Sequence, residues 1–278
     1  MLLFQIVLLA LVQGLGEFLP IGGAGPSTLV PASAGLPDQG LALGLAAHLG
    51  TLAAALLYFW RDGCRMTVGV FRLLFGRGPF EHPEAGARLA LQLLAATVPA
   101  IALGAAIAHA LGGALDSIPA LAGVTILGGL LLVLADRTGA TFRRVEDMKL
   151  RHALIIGTAE MLAVIPGAGR TTLAIAAARL LGYERPEAAR AGVLLSIPAL
   201  VVVAAVEAHR LIQLIGAGAP ELHAVAPRDL VSTALVALLS GLAAIAFLMK
   251  LLERAGFMLF LVYRVLYAGA LLYLLYGL

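Results

Sequence analysis

The stretch GEFLPIGGAGPSTL, residues Gly16 to Leu29, puts the first charge of the chain, Glu17, after sixteen almost wholly apolar residues and just ahead of a proline and a run of glycine and alanine. A carboxylate beside a helix break makes physical sense only once the solvent around it is known, and the composition supplies that. Of the 278 residues, 61% are hydrophobic and 13% charged, too little polar surface to coat a water-soluble globule. The chain therefore reads as an integral membrane protein. An ionisable group in such a setting is costly and marks a functional place by default.

Outward from this stretch, six apolar runs are long enough to cross a hydrocarbon core: about 40–60, 89–112, 117–136, 188–209, 229–249 and 256–277. Two further apolar stretches, 2–35 and 151–183, are interrupted by Pro and Gly. The opening MLLFQIVLLALVQ has no basic flank and is read as part of the mature chain. Basic residues cluster in alternate connections: Arg61, Arg65, Arg72, Arg77 and Arg88; Arg137, Arg143, Arg144, Lys149 and Arg151; Arg179, Arg185 and Arg190; Lys250 and Arg254. Threading the six spans puts all of these on one side, which the positive-inside rule makes cytoplasmic. The lone Cys64 forms no internal disulfide and falls on that side as a reduced thiol. Both termini then lie outside, and the expected location is a bacterial plasma membrane.

The same threading makes residues 1–39 begin and end on the external side and 151–187 on the cytoplasmic side, so both broken stretches are expected to be re-entrant. Each precedes three spans, an odd number, which gives the halves opposite orientation. Pro20 and Pro166 each end a half-helix and open a Gly-rich turn, PIGGAG against PGAGR. Pro37-Asp38 and Pro186-Glu187, ahead of the first and fourth spans, repeat at nearly the same interval. The expected fold class is an all-α polytopic membrane protein built as an inverted-topology repeat. Its halves are 1–136 and 151–278, joined by a linker at 137–150, with two broken helices meeting near the midplane. Irregular backbone survives at that depth only where it lines a cavity or is buried in protein.

Glu17 then sits at the tip of one half-helix, and Arg170 follows the second break directly. A Gly-rich turn that opens a helix presents free N–H groups and the positive end of a dipole, so Gly22, Gly23, Gly167 and Gly169, together with Arg170, read as a phosphate-type anion site. Gln13 precedes Glu17 by four residues and shares its helix face, which suits two oxygen ligands for a divalent cation, Mg²⁺ or Ca²⁺. His48 is the histidine placed deep in a span, read either as a satisfied core residue or as a proton carrier. Glu160 reads as a neutralising partner of Arg170. Thr171, Thr172, Ser27 and Thr28 are the hydroxyls near the breaks, each more commonly a cap than a nucleophile. Arg264, in the last span, is expected to snorkel toward the interface.

VQGLGEFLPIGGAG, HLGTLAAALLYFWRD, AEMLAVIPGAGRTT and RPEAARAGVLLSIPAL resemble, in order and spacing, the undecaprenyl-pyrophosphate phosphatase family linked to bacitracin resistance. The likeness runs over essentially the whole chain. It implies a membrane phosphatase that removes one phosphate from the C55 polyprenyl diphosphate carrier of cell-wall synthesis. It places the family's Glu/Gln-x-x-x-Glu pair on Gln13 and Glu17, and its essential arginine on Arg170. Where the family shows Ser-Ser-Thr-Gly-His this chain has Gly22-Gly23-Ala24-Gly25-Pro26, and Gly169, Thr171 and Ala174 replace a serine, a serine and a threonine. The serine and histidine proposed for family catalysis are thus absent at their motif positions.

Two classes of function fit these residues. In the enzyme reading, Arg170, backbone amides and a divalent ion neutralise the phosphoryl oxygens, and the nucleophile is water, with Glu17 as base, or a relocated hydroxyl such as Thr171. In the other, an impaired homologue binds or flips polyprenyl phosphate and needs no nucleophile. A scaffold with a vestigial site is a third. The expected partners are the polyprenyl lipid, the membrane and a second copy in a homodimer, with no nucleic acid.

Overall fold

The computed structural model describes residues 3–22, 40–75, 83–111, 117–216 and 226–276. Among these residues the chain forms helices α1 (Leu3–Phe18), α2 (Gly40–Tyr58), α3 (Trp60–Phe75), α4 (Pro83–Leu111), α5 (Ile118–Thr138), α6 (Leu150–Met161), α7 (Arg170–Leu180), α8 (Arg185–Gly216), α9 (Pro227–Leu252) and α10 (Met258–Tyr276), with no strand. Six of them, α2, α4, α5, α8, α9 and α10, are long and apolar enough to span a membrane, and they coincide with the six apolar runs. The protein is an all-α, multi-pass membrane protein. At 1.5 Å per residue, α6 (12 residues) and α7 (11 residues) each reach roughly 17–18 Å, short of a core about 30 Å thick.

Both breaks fall where Pro and Gly predict. α1 stops at Phe18, and the turn through Pro20 carries Gly22 at φ +116°. α6 stops at Met161, continues as one 3-10 turn to Val164, and passes through Pro166 to Gly167 (φ +87°) and Gly169 (φ +80°), after which α7 begins at Arg170. An L side chain avoids that backbone region, so the second turn needs glycine at both positions.

Several packing partners recur when the halves are exchanged, whereas the contact of α3 with α4 has no counterpart among the described residues. α1 packs on α9 and α6 on α4; α2 packs on α9 and α8 on α4; α5 meets α10, and α2 meets α8. The close approaches repeat too. A Cβ on Gly14 of α1 would lie 2.8 Å from Ala237 O of α9, and one on Gly157 of α6 would lie 3.1 Å from Ala96 O of α4. Three residues on from each glycine stands a carboxylate, Glu17 or Glu160. Glu17 and Glu160 thus hold the same place relative to these two close contacts, and Arg170 stands just after the second break.

α3 occupies what the hydropathy presents as a basic inter-span connection. Its buried side, with Asp62 and Gly69, packs on α4. Trp60, Phe71, Leu74 and Phe75 are exposed on the opposite face.

Several basic residues counted as loop charges are tied into ion pairs. Arg179, 2% exposed, donates from Nε to Asp136 Oδ1 at 3.0 Å, and Arg185 holds both Asp136 oxygens at 2.8 and 3.0 Å. Arg190 does the same for Asp62 at 2.6 and 3.2 Å and also reaches Glu146 and Glu187. These bonds staple α7 and the start of α8 to the ends of α5 and α3. Removing one partner of a buried pair leaves an uncompensated charge, at a cost of roughly 3–5 kcal/mol. Asp136→Ala is therefore expected to lower the thermal midpoint of the detergent-solubilised protein by several degrees, read from its unfolding curve, while Glu184→Ala, whose contact with Arg144 is exposed, leaves it unchanged.

Candidate active site at the meeting of two broken helices

The two Gly-rich turns touch: a Cβ on Gly169 would lie 3.2 Å from Gly22 Cα, and one on Gly22 would lie 3.6 Å from Gly167 O. Beside this contact opens a cavity of about 510 Å³ whose wall includes Gln13, Glu17, Gly22, His48, Glu160, Gly167, Gly169 and Arg170. α1 supplies Gln13 and Glu17, α2 His48, α6 Glu160, and the first residue of α7 is Arg170.

Arg170 joins the two half-helices. Its Nη1 donates to Glu17 Oε1 at 3.1 Å, and its Nε lies 3.4 Å from Glu160 Oε1, an ion pair without hydrogen-bond geometry. Glu160 is buried and Glu17 nearly so. The N–H groups of the first turn of α7 have no helical acceptor, which adds partial positive charge where Arg170 enters the cavity.

The residue that sequence reading misplaces is Arg264. Instead of snorkelling to an interface it is fully buried. Its Nε donates to Pro20 O at 2.9 Å, Nη1 to Thr125 O at 2.8 Å and Gly167 O at 3.3 Å, and Nη2 to Ala168 O at 3.2 Å and to the Thr172 hydroxyl. Gly128 and Gly129 of α5 make room for it, since a Cβ on either would lie within 3 Å of its side chain. A five-donor guanidinium thus collects backbone carbonyls from both breaks and from α5. No carboxylate pairs with it among the described residues. Because the Ala168–Gly169 peptide is trans and its carbonyl is held by Arg264, the Gly169 N–H points the other way.

The other expected residues divide. Thr171 is not poised as a nucleophile: it is 5% exposed, and its hydroxyl donates to Glu17 O at 2.6 Å, tying α7 to the end of α1. Thr172, fully buried against Arg264, is likewise structural. Gly23, Ser27 and Thr28 lie outside the described residues. Gln13 turns its amide nitrogen to Glu17 Oε2 at 3.2 Å, so the pair does not offer two oxygens to one point. Unmentioned by any motif, Glu207 of α8 stands 2.9 Å from His48 Nδ1. Its only signal in the sequence is a lone acid within a long apolar run.

The family model described as bacitracin resistance protein BacA covers residues 6–270. This chain belongs to the BacA family. Among its relatives, undecaprenyl-diphosphatase 1 of Rhodospirillum rubrum is 44% identical over 99% of this chain and 96% of its own length. The undecaprenyl-diphosphatase of Ruegeria pomeroyi is 41% identical over the whole of both chains, and that of Maricaulis maris 41% identical over 95% and 96%. The BacA match spans both turns, both half-helices and Arg264.

Replacing Arg264 with Met removes the donors to four buried carbonyls, each costing roughly 1–3 kcal/mol when left unpaired. The expected result is a protein that no longer survives detergent extraction as a monodisperse species. Arg264→Lys, with three donors on one nitrogen, is expected to be intermediate when both are followed by size-exclusion profile and thermal midpoint.

Proposed function

We propose that this chain hydrolyses a polyprenyl diphosphate, of the undecaprenyl class named for its relatives, to the monophosphate and inorganic phosphate, in the plasma membrane of a bacterium. The observation that carries the reading is Arg170, held between Glu17 and Glu160 at the start of α7 and facing a cavity bounded by two glycine turns. The guanidinium and the amides that open α7 lie at this cavity and would supply the charge-assisted donors that the equatorial oxygens of a phosphoryl group call for. The polyprenyl chain would lie in the lipid.

The charge count implies a helper. Glu17 and Glu160 outnumber Arg170, so a diphosphate would enter a net negative cavity. No cluster of three or more His, Cys, Asp or Glu able to hold a metal exists among the described residues. Two carboxylates plus substrate oxygens and water is nonetheless a donor set that suits Mg²⁺, and with more water Ca²⁺. Glu17 and Glu160 would hold such a cation, which would neutralise charge on the diphosphate. Gln13, hydrogen-bonded to Glu17 through nitrogen, positions that carboxylate.

With Thr171 and Thr172 committed to structural bonds, the nucleophile among the groups in view is water. Arg170 and the turn amides would orient the terminal phosphate, and Glu17 and Glu160 would hold Arg170 in place. The inverted orientation of the halves, expected from loop charge, fits the exchange pattern of the packing. The loop charge assigns Cys64, which is exposed on α3, to the cytoplasmic side.

Purified protein in detergent, supplied with C55 polyprenyl diphosphate and Mg²⁺ or Ca²⁺, is expected to release phosphate. Arg170→Lys, which keeps the charge and loses the planar fork, is expected to reduce kcat/KM by roughly 10²–10³-fold with the fold intact by melting curve. No release by wild-type protein across metals and pH, with lipid binding confirmed, would overturn the reading. Separately, an impermeant thiol reagent is expected to leave Cys64 unmodified in intact cells and to label it after permeabilisation; strong labelling of intact cells would reverse the orientation.

A further inference from the structure

This inference rests on the phosphatase reading and concerns the proton that hydrolysis must move. A water attacking phosphorus has to lose one, and this chain has proline at the motif position where the family has histidine. Glu17 is poorly placed to accept it. One of its oxygens accepts from Arg170 Nη1 and the other from the Gln13 amide, and its remaining lone pairs are the ones a bound cation would take.

We propose that His48, held by Glu207, is the general base of this site. His48 lies on α2 at the cavity wall, with its Nδ1 2.9 Å from Glu207 Oε2 and its Nε2 3.3 Å from Gln13 Nε2. The contacts fix which nitrogen carries hydrogen. Glu17 accepts, so the Gln13 atom facing it is the NH₂; that group is a donor only, so the His48 nitrogen beside it presents a lone pair. The proton then sits on Nδ1 and is donated to Glu207, which orients the ring in the manner of the acid in a catalytic triad. The outcome is an imidazole lone pair at Nε2 that accepts from the Gln13 amide in this structure, at the cavity wall that His48 shares with Glu17 and Arg170; the attacking water takes that place when the Gln13 amide turns aside.

The charged groups that act on His48 are Glu207 from α8, Glu17 from α1 and Arg170 from α7; α9, which packs along α2, contributes none. Both members of the dyad are mostly buried, with about a fifth of each side chain exposed, and His48 lines the cavity. In the reaction, the water oxygen bonds to the terminal phosphorus and its proton passes to His48 Nε2. The bond from that phosphorus to the bridging oxygen breaks, and its electron pair leaves on the polyprenyl monophosphate. The imidazolium formed is balanced by Glu207 until it returns the proton to solvent. His48 is thus a catalytic residue and Glu207 a positioning one. The imidazole that the motif lacks at position 26 is supplied from a different helix.

The test uses full-length protein in detergent, with phosphate release from C55 polyprenyl diphosphate measured from pH 5 to 9. Wild type is expected to lose activity as pH falls and the base takes its proton. His48→Gln is expected to reduce kcat by roughly 10²–10⁴-fold with KM little changed and the acid limb gone. Glu207→Gln is expected to give a smaller fall in kcat and a displaced acid limb, a response that loss of packing alone would not produce. Added imidazole is expected to restore part of the activity of His48→Ala. Retained binding of polyprenyl monophosphate, read by thermal shift, certifies that each variant is folded. If wild type is active and folded His48→Gln matches it in kcat and pH profile, His48 is not the base. A large loss with Ser27→Ala, alongside an unaffected His48→Gln, would move the chemistry to the 23–39 segment. A wild type that releases no phosphate overturns the phosphatase reading itself, and this inference with it.

Discussion

One guanidinium shared by two carboxylates from separate half-helices is the constraint on which the rest of the site depends. Glu17 and Glu160 are each costly inside a membrane protein, and each is held by Arg170, so neither break can form its native environment without the other. Bringing them within reach forces the turns together. This is why Gly169 has no room for a side chain, since a Cβ there would lie against the facing turn; Gly167 is pressed instead against Leu121 and Thr125 of α5.

Turns that close expose another problem, since unwound backbone leaves carbonyls without partners in a region where water is scarce. Arg264 answers it from α10 by taking carbonyls of both turns and of α5 at once. Arg170 and Arg264 divide the work. Arg170 meets carboxylates and faces the cavity, whereas Arg264 meets carbonyls and lies behind the turns. With those carbonyls gathered on the Arg264 side, Arg170 faces the cavity together with the Glu17 and Glu160 carboxylates.

Hydrophobic length and loop charge made the six spans legible, because burial in lipid demands about twenty apolar residues whatever the fold. The two breaks were legible as well, since Pro and Gly act locally, and Glu17 and Arg170 stood out as ionisable groups beside them. Other features resisted. α3 looks like a charged connection because its apolar residues occupy only one face and average out over a window. Thr171 looks like a spare hydroxyl until its bond to the Glu17 carbonyl is seen. Arg264 looks like an interfacial arginine, as nothing adjacent in the chain reveals that five acceptors surround it.

What the sequence determined by itself, then, was the solvent, the number of spans, the place of each break and the two ionisable groups of opposite sign beside them. All of these follow from properties of residues near one another along the chain. Only the tertiary structure decided which groups meet: Glu17 and Glu160 on Arg170, Arg264 behind both turns, and His48 on Glu207 across 159 positions. The physical reason is that a hydrogen bond or ion pair between helices depends on angle and depth around two separate axes. Helical periodicity gives the face of each residue within its own helix, and only packing sets one face against another.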